Sequence, residues 1–265
     1  MGFLHDGHGS LIERAATDNE AIVTTIFVNP LQFAPTEDLA AYPRDPAGDT
    51  SRAGAAGCTH LFTPSPEEMY PDGRDSVLTS VTVDALASIM EGASRPTHFA
   101  GVCTVVAKLF NIVGPCSAYF GEKDFQQLAV IRRMASDLSF PVTVVGCPIV
   151  REPDGLALSS RNVYLTAPER AAAPVLQRAL RAGATAIDGG ETRADAVRSL
   201  MADVVRAEPL GTLDYVDVVD PATLQPLVVA GRDARLFGAV QFGRARLIDN
   251  IAATDVPGPP TQGAG

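Results

Sequence analysis

Lysine is almost missing from this chain: Lys108 and Lys123 are the only two among 21 cationic residues, the rest being arginine, against 31 Asp and Glu. The formal charge of −10 and the acidic isoelectric point near 4.8 exclude a broad polyanion-binding face, because nucleic-acid affinity rests on many Lys and Arg neutralising phosphates. Any phosphate ligand must meet a few focused cations. Cysteine is scarce as well. Cys58, Cys103, Cys116 and Cys147 stand in separate apolar stretches with no C-x-x-C pair, which excludes a disulfide framework and a zinc pattern and points to a reduced cytoplasm. No apolar run reaches the ~18 residues of a membrane span, and no basic-then-apolar leader opens the chain. What is present is a 46% hydrophobic fraction, ample for a packed core, over 265 residues, enough for one large domain with a small partner.

The first 165 residues alternate short apolar or β-branched runs with helical patterns, which predicts βαβ units and a mostly parallel sheet. Ala21–Val28 reads as a buried strand stopped by Asn29-Pro30, preceded by an amphipathic helix around Leu11–Ala16. Residues 44–57 read as helix, His60–Pro64 as strand, Ser76–Val83 as a further strand, Phe99–Val113 as helix, Ser117–Phe120 as strand, Asp124–Leu138 as helix and Pro141–Val145 as strand. From residue 166 the texture changes: helices at Ala167–Ile187 and Arg193–Ala207 precede candidate strands at Leu213–Val219, Leu227–Val229, Ala234–Val240 and Ala245–Ile248. This predicts a small α+β domain over 166–251. The tail 252–265 has too few apolar residues to fold.

Four constellations carry chemistry. His5-Asp6-Gly7-His8 places two imidazoles three residues apart at the start of a helix, where backbone N–H groups and the dipole favour a triphosphate. A partial metal site and two surface histidines are the competing readings, and no third ligand lies nearby in sequence. Phe120-Gly121-Glu122-Lys123-Asp124-Phe125-Gln126-Gln127 joins a strand to a helix and projects Lys123 at the mouth of the sheet, or is a solvated helix start. Leu158-Ser159-Ser160-Arg161-Asn162 offers hydroxyls and a guanidinium that can close on phosphate oxygens, or is a polar turn. Asn29 and Gln32, delivered by Ile26–Phe33, can fix a small polar substrate, or Asn29-Pro30 is merely a turn.

Their order is more specific than any one of them. His-x-Gly-His, IFVNPLQF, Arg95-Pro96-Thr97-His98-Phe99-Ala100-Gly101-Val102, FGEKDFQQL and DGLALSSRN together resemble the pantothenate synthetase family of the HIGH-type nucleotidyltransferases. Tyr42-Pro43-Arg44, Met69-Tyr70-Pro71, Val150-Arg151-Glu152 and Leu247–Ile251 extend the likeness. The resemblance implies an α/β fold, with a Rossmann-like doubly wound parallel sheet over 1–165 and a C-terminal α+β lid. It implies a cytoplasmic, homodimeric enzyme that condenses (R)-pantoate with β-alanine using ATP and Mg²⁺, through pantoyl adenylate, with neither nucleic acid nor membrane as partner.

By the same resemblance His5 and His8 contact phosphates, with His8 the proton donor, and Lys123 bridges phosphate oxygens. Ser159, Ser160 and Arg161 close over the terminal phosphates, with Leu158 beside them. Met1, Gly2, Phe3, Leu4, Asp6 and Gly7, together with Gly121, Glu122, Asp124 and Val150, surround the nucleotide, Val150 through its backbone to adenine. Gln32 and Gln127 hold pantoate, Asn29 lies near, and Asp49 is the candidate Mg²⁺ ligand. Lys123, Arg161 and the two histidines are thus expected to be the cations of one cleft. Lysine at position 123, in a chain that otherwise uses arginine, suggests a need for a compact ammonium. Met1 falls where the family has an internal methionine preceded by a central strand and a Pro-Thr pair, so a longer natural protein is expected. Ala34, where glycine is common, is a tolerable change. Another nucleotidyltransferase, an idle nucleotide-binding protein and a zinc hydrolase built on His5 and His8 are the alternatives; IFVNPLQF and FGEKDFQQL count against the first.

Overall fold

A computed structural model describes residues 2–34 and 39–256. The chain divides into two compact units, one running to Val150 and including Leu158–Ser160, the other comprising Arg151–Ala157 and everything from Arg161 on.

The first unit is α/β. Helix α1 (Asp6–Asp18) is followed by β1 (Val23–Thr25), α2 (Pro46–Ala55), β2 (His60–Phe62) and three short helices, α3 (Pro66–Met69), α4 (Asp84–Ala87) and α5 (Glu91–Ser94). Then come α6 (His98–Val113), β3 (Cys116–Gly121), α7 (Phe125–Asp137) and β4 (Val142–Cys147). The parallel pairing that the alternation predicts is present: β1 lies beside β2 with Val23 opposite His60, and β3 beside β4 with Cys116 opposite Val142. These are two separate hydrogen-bonded pairs. The run Ala21–Val28 forms a ladder only over Val23–Thr25, with one further bond from Ile26 N to Phe62 O, before Asn29-Pro30 turns the chain away. Ser76–Val83 forms no strand. It starts as a 3-10 turn at Arg74–Ser76 and runs on without a ladder, with Leu78 99% exposed and Val81 N donating to the Thr104 hydroxyl. β propensity without a neighbouring strand does not make a sheet.

Helix α6 is apolar nearly all round, as a core helix must be. Its Phe99, Val102, Cys103, Val106 and Phe110 pack with Val130, Ile131 and Met134 of α7. A smaller cluster of Leu4, Ile12, Ala15, Ile22 and Ala53 seats α1. Gly101 is required on α6 because a Cβ there would collide with the Leu31 carbonyl and stand 2.6 Å from Gln32 N, so the helix lies directly against the Pro30–Gln32 turn.

The second unit has α8 (Ala167–Ala172), α9 (Val175–Asp188) and α10 (Ala194–Arg206) on an antiparallel sheet of β5 (Thr212–Val219), β6 (Arg235–Phe242) and β7 (Ala245–Ala252), in the order β5-β6-β7. Two readings need correction. The helix expected over Ala167–Ile187 breaks at Pro174, which has no N–H to continue the ladder. Leu227–Val229 is not a strand; Val228 and Val229 are exposed and only isolated bridges form there. β7 runs to Ala252 and Ala253 N is bonded to Ala234 O, while 257–265 of the expected tail lie outside the described residues. Gly183 lets α9 approach closely, since a Cβ would stand 2.6 Å from Leu236 and 2.8 Å from the Met201 sulfur. At the edge of this unit Arg151 makes a two-pronged ion pair with the nearly inaccessible Asp249, Nη1–Oδ2 2.6 Å and Nη2–Oδ1 2.9 Å.

Candidate active site

The histidine turn is built by the histidines themselves. His5 is the N-cap of α1, and its Nδ1 accepts from Gly7 N at 3.2 Å. His8, three residues on, accepts the His5 N–H on its own Nδ1 at 3.3 Å, and the two rings lie 4.0 Å apart. This is a capping box made with imidazoles in place of the usual Ser and Glu. Gly7 is the residue between them because a Cβ there would come within 2.9 Å of the His5 ring.

The hydrogen bonds fix the protonation chemistry. With Nδ1 an acceptor in both rings, each neutral imidazole carries its proton on Nε2. Both rings are neutral near pH 7: His5 is lowered from 6.5 to about 4, chiefly by burial and then by Lys123, and His8 to about 3, chiefly by burial and then by His5, the chain's α-amino group and Lys123. The expectation of four cations is therefore corrected to exclude the histidines, which act here as donors.

A stability consequence follows. Unfolded imidazoles take up protons near pH 6.5 and the folded ones resist until about 4 and 3, so the unfolded state binds more protons in between. The histidine contribution is complete above about pH 6.5 and is lost as pH falls toward 3. Urea midpoints at pH 7.5 and 4.5 should differ more for the wild type than for His8→Gln; equal differences would deny the effect.

Lys123 enters from a 3-10 turn, Glu122–Asp124, directly after β3. Its side chain is 20% exposed, with Nζ 3.8 Å from Asp124 Oδ1, and it is near enough to both imidazoles to depress them. A Cβ on Gly121 would project into open space, so that side of the strand end is clear for a ligand. Leu158 N pairs with Val150 O at 3.0 Å, and a Cβ on Gly7 would lie 3.6 Å from Leu158 Cβ. The structure thus gathers Gly2–His8, Gly121–Asp124, Val150 and Leu158–Ser160 in one unit, while Arg161 belongs to the other. Met1 lies outside the described residues.

Three residues do something other than the sequence suggests. Ser160 is buried and its hydroxyl donates to the Phe3 carbonyl at 3.2 Å. Asn29, 1% exposed, spends its amide inside the protein: Nδ2 donates to Gly101 O at 3.0 Å, and Oδ1 accepts from Tyr70 Oη at 2.8 Å and from Leu31 N at 3.3 Å. It shapes the Pro30–Gln32 turn. Asp49 is buried, with both oxygens accepting backbone N–H groups, and no group of three His, Cys, Asp or Glu able to hold a metal occurs among the described residues. Gln126 is the buried glutamine of its pair, bonded to Leu86 O, Ile89 O and Glu91 N, whereas Gln127 is half-buried.

Sequence reasoning missed Tyr70, Arg95 and His98. Arg95 donates to the Gln32 carbonyl at 3.3 Å, and His98 Nδ1 meets the same oxygen at 3.1 Å. Their motifs were visible only by their order, since what they hold lies 41 residues away for Tyr70, 63 for Arg95 and 66 for His98.

A family model described as pantoate-beta-alanine ligase matches residues 1–252. A pantothenate synthetase of Herpetosiphon aurantiacus is 51% identical over 252 residues, covering 95% of this chain and 90% of that one. One from Heliobacterium modesticaldum is 53% identical over 251 residues, covering 95% and 88%. The crystal structure of pantothenate synthetase from Thermus thermophilus superposes with a TM-score of 0.91 at 50% identity, over 97% of this chain and 91% of that one. That of pantoate-beta-alanine ligase from Francisella tularensis, complexed with beta-gamma ATP and beta-alanine, gives 0.77 at 33% identity, over 97% and 89%.

Proposed function

The chain belongs to the pantoate-beta-alanine ligase family, and we propose that the residues gathered at the start of α1 and the end of β3 carry out that family's reaction. It is a ligase that joins (R)-pantoate to β-alanine at the expense of ATP, giving pantothenate, AMP and diphosphate through pantoyl adenylate. In the first step a pantoate carboxylate oxygen attacks the α-phosphorus, and the bond to the leaving diphosphate breaks. In the second the β-alanine amine attacks the acyl carbon, AMP leaves with the bonding pair, and the amine gives up a proton.

Neither step needs a nucleophile from the protein. The cysteines agree with this: burial pushes the Cys103 thiol up to about 12 and raises Cys116 and Cys147. The demand is on positioning and on stabilising charge at the phosphates. The observation that carries the assignment is the pair of neutral imidazoles, each with an Nε2–H donor, beside Lys123 at the N-terminus of α1. We assign the His5 and His8 donors and the Lys123 ammonium to phosphate oxygens. We give His8 the proton-donor role, through its Nε2–H. Gly121–Asp124, Val150 and Leu158–Ser160 line the nucleotide, Arg161 supplies a guanidinium to its terminal phosphates, and Gln32 and Gln127 hold pantoate.

Mg²⁺ is proposed to arrive with ATP, where it neutralises phosphate charge and orients the leaving group. Homodimerisation, a cytoplasmic location and a lid role for 166–251 belong to the same proposal.

The test is diphosphate release from ATP with pantoate, and pantothenate formation when β-alanine is added. Without β-alanine, AMP should appear slowly while adenylate stays bound. Release stimulated by a different acid and not by pantoate would refute the assignment, and nucleotide binding without turnover would favour the idle protein.

A further inference from the structure

Asp49 sits in the first turn of α2, after its Asp45 cap, and is 3% exposed. Its carboxylate faces the segment leading into the histidine turn: Oδ2 accepts from Phe3 N at 2.8 Å and Oδ1 from Leu4 N at 2.5 Å. On the carbonyl side, the Ser160 hydroxyl holds Phe3 O. Phe3 has φ +56°, a conformation that a bulky side chain adopts only when its surroundings impose it. The next residue after Leu4 is His5, whose imidazole starts the capping box.

We propose that Asp49 is a positioning residue for the nucleotide: by gripping two consecutive backbone N–H groups it holds the left-handed turn at Phe3, and so sets where the two imidazole donors stand. This rests on the adenylate-forming reading above and reassigns Asp49 from metal ligand to anchor. A charged acceptor of two N–H groups is a strong, directional hold, and an anchor is needed because a misplacement of about 1 Å at such a site costs on the order of 100-fold in rate.

Asp49→Asn keeps the shape but turns an NH₂ against a backbone N–H. Pantoate-dependent diphosphate release should fall about 10- to 100-fold, while aminolysis of chemically made pantoyl adenylate by β-alanine stays near the wild-type rate. In the same protein the histidine ring titrations, followed by NMR, should rise from about 4 and 3 toward 6.5 as the rings loosen. The charged groups acting on His5 are Lys123, Asp6, Asp124 and Arg52, and those acting on His8 are His5, the chain's α-amino group and Lys123. Losing the Asp49 anion would by itself lower both titrations, so a rise reports displacement. Unmoved titrations with undiminished release, an equal loss in both half-reactions, or rescue by excess Mg²⁺ would each overturn the proposal. Should Asp49→Asn not fold, Asp49→Glu retains charge and both acceptors one methylene out of place: the anchor reading requires the same selective loss, and full activity overturns it. If the wild type itself releases no diphosphate with pantoate, the functional reading falls, and the ring titrations still decide the anchor.

Discussion

Lys123→Ala should slow pantoate-dependent diphosphate release by about 100- to 1,000-fold. Lys123 projects from the turn after β3, its side chain 20% exposed and its Nζ 3.8 Å from Asp124 Oδ1. The variant removes a positive charge that the neighbouring imidazoles do not replace, because burial keeps them neutral. The other lysine is engaged elsewhere, its Nζ 5.6 Å above the Tyr70 ring. Lys123→Arg should recover only part of the rate, since a planar guanidinium cannot present a compact charge at the same point. Single-turnover release at saturating ATP decides the matter, and a near-normal rate in Lys123→Ala would remove this residue from the mechanism.

Arg151→Ala should lower the free energy of unfolding by about 3–5 kcal/mol. Asp249 is 4% exposed and its partner donates to both carboxylate oxygens, so the variant strands a buried charge. Arg151 also donates to Gly155 O, so the Val150–Leu158 segment should loosen as well. Replacing both partners, Arg151→Met with Asp249→Leu, should restore most of the stability, because the unpaired charge goes with its partner. Urea denaturation of the three proteins measures this; a loss below about 1 kcal/mol in the single variant would show that water screens the pair.

The parts of the fold legible in the sequence are those whose signals are local. Helices α1, α6 and α7 and strands β3 and β4 came from periodicity, and their ends lie within a few residues of expectation. The errors at Ser76–Val83 and Leu227–Val229 share one cause: both runs have strand-like side chains, and a strand exists only if a partner is hydrogen-bonded to it. The break at Pro174 was legible and was passed over because the alanine-rich pattern continues across it. At the site, spacing gave the two histidines their shared face, and resemblance gave the roles. The neutrality of the imidazoles, the Ser160 bond to Phe3 and the grip of Asp49 were hidden, since each depends on burial or on contacts across 45 residues or more. Asn29 shows the limit well. Its residue type suggests a substrate contact, but its amide is bonded within the protein to Gln32, Leu31, Tyr70 and Gly101, the last two 41 and 72 residues away.

The division into units also bears on how the chain could be handled as modules. A boundary at residue 165 implies that one scission frees two folding pieces. The units instead interleave: the polypeptide leaves the first after Val150, re-enters for Leu158–Ser160 and departs again at Arg161. Each crossing lies inside a motif, at Val150-Arg151, Ala157-Leu158 and Ser160-Arg161. A graft or fusion that respects the architecture must carry the whole stretch 150–161 intact. Recombination between relatives should then be penalised within that stretch.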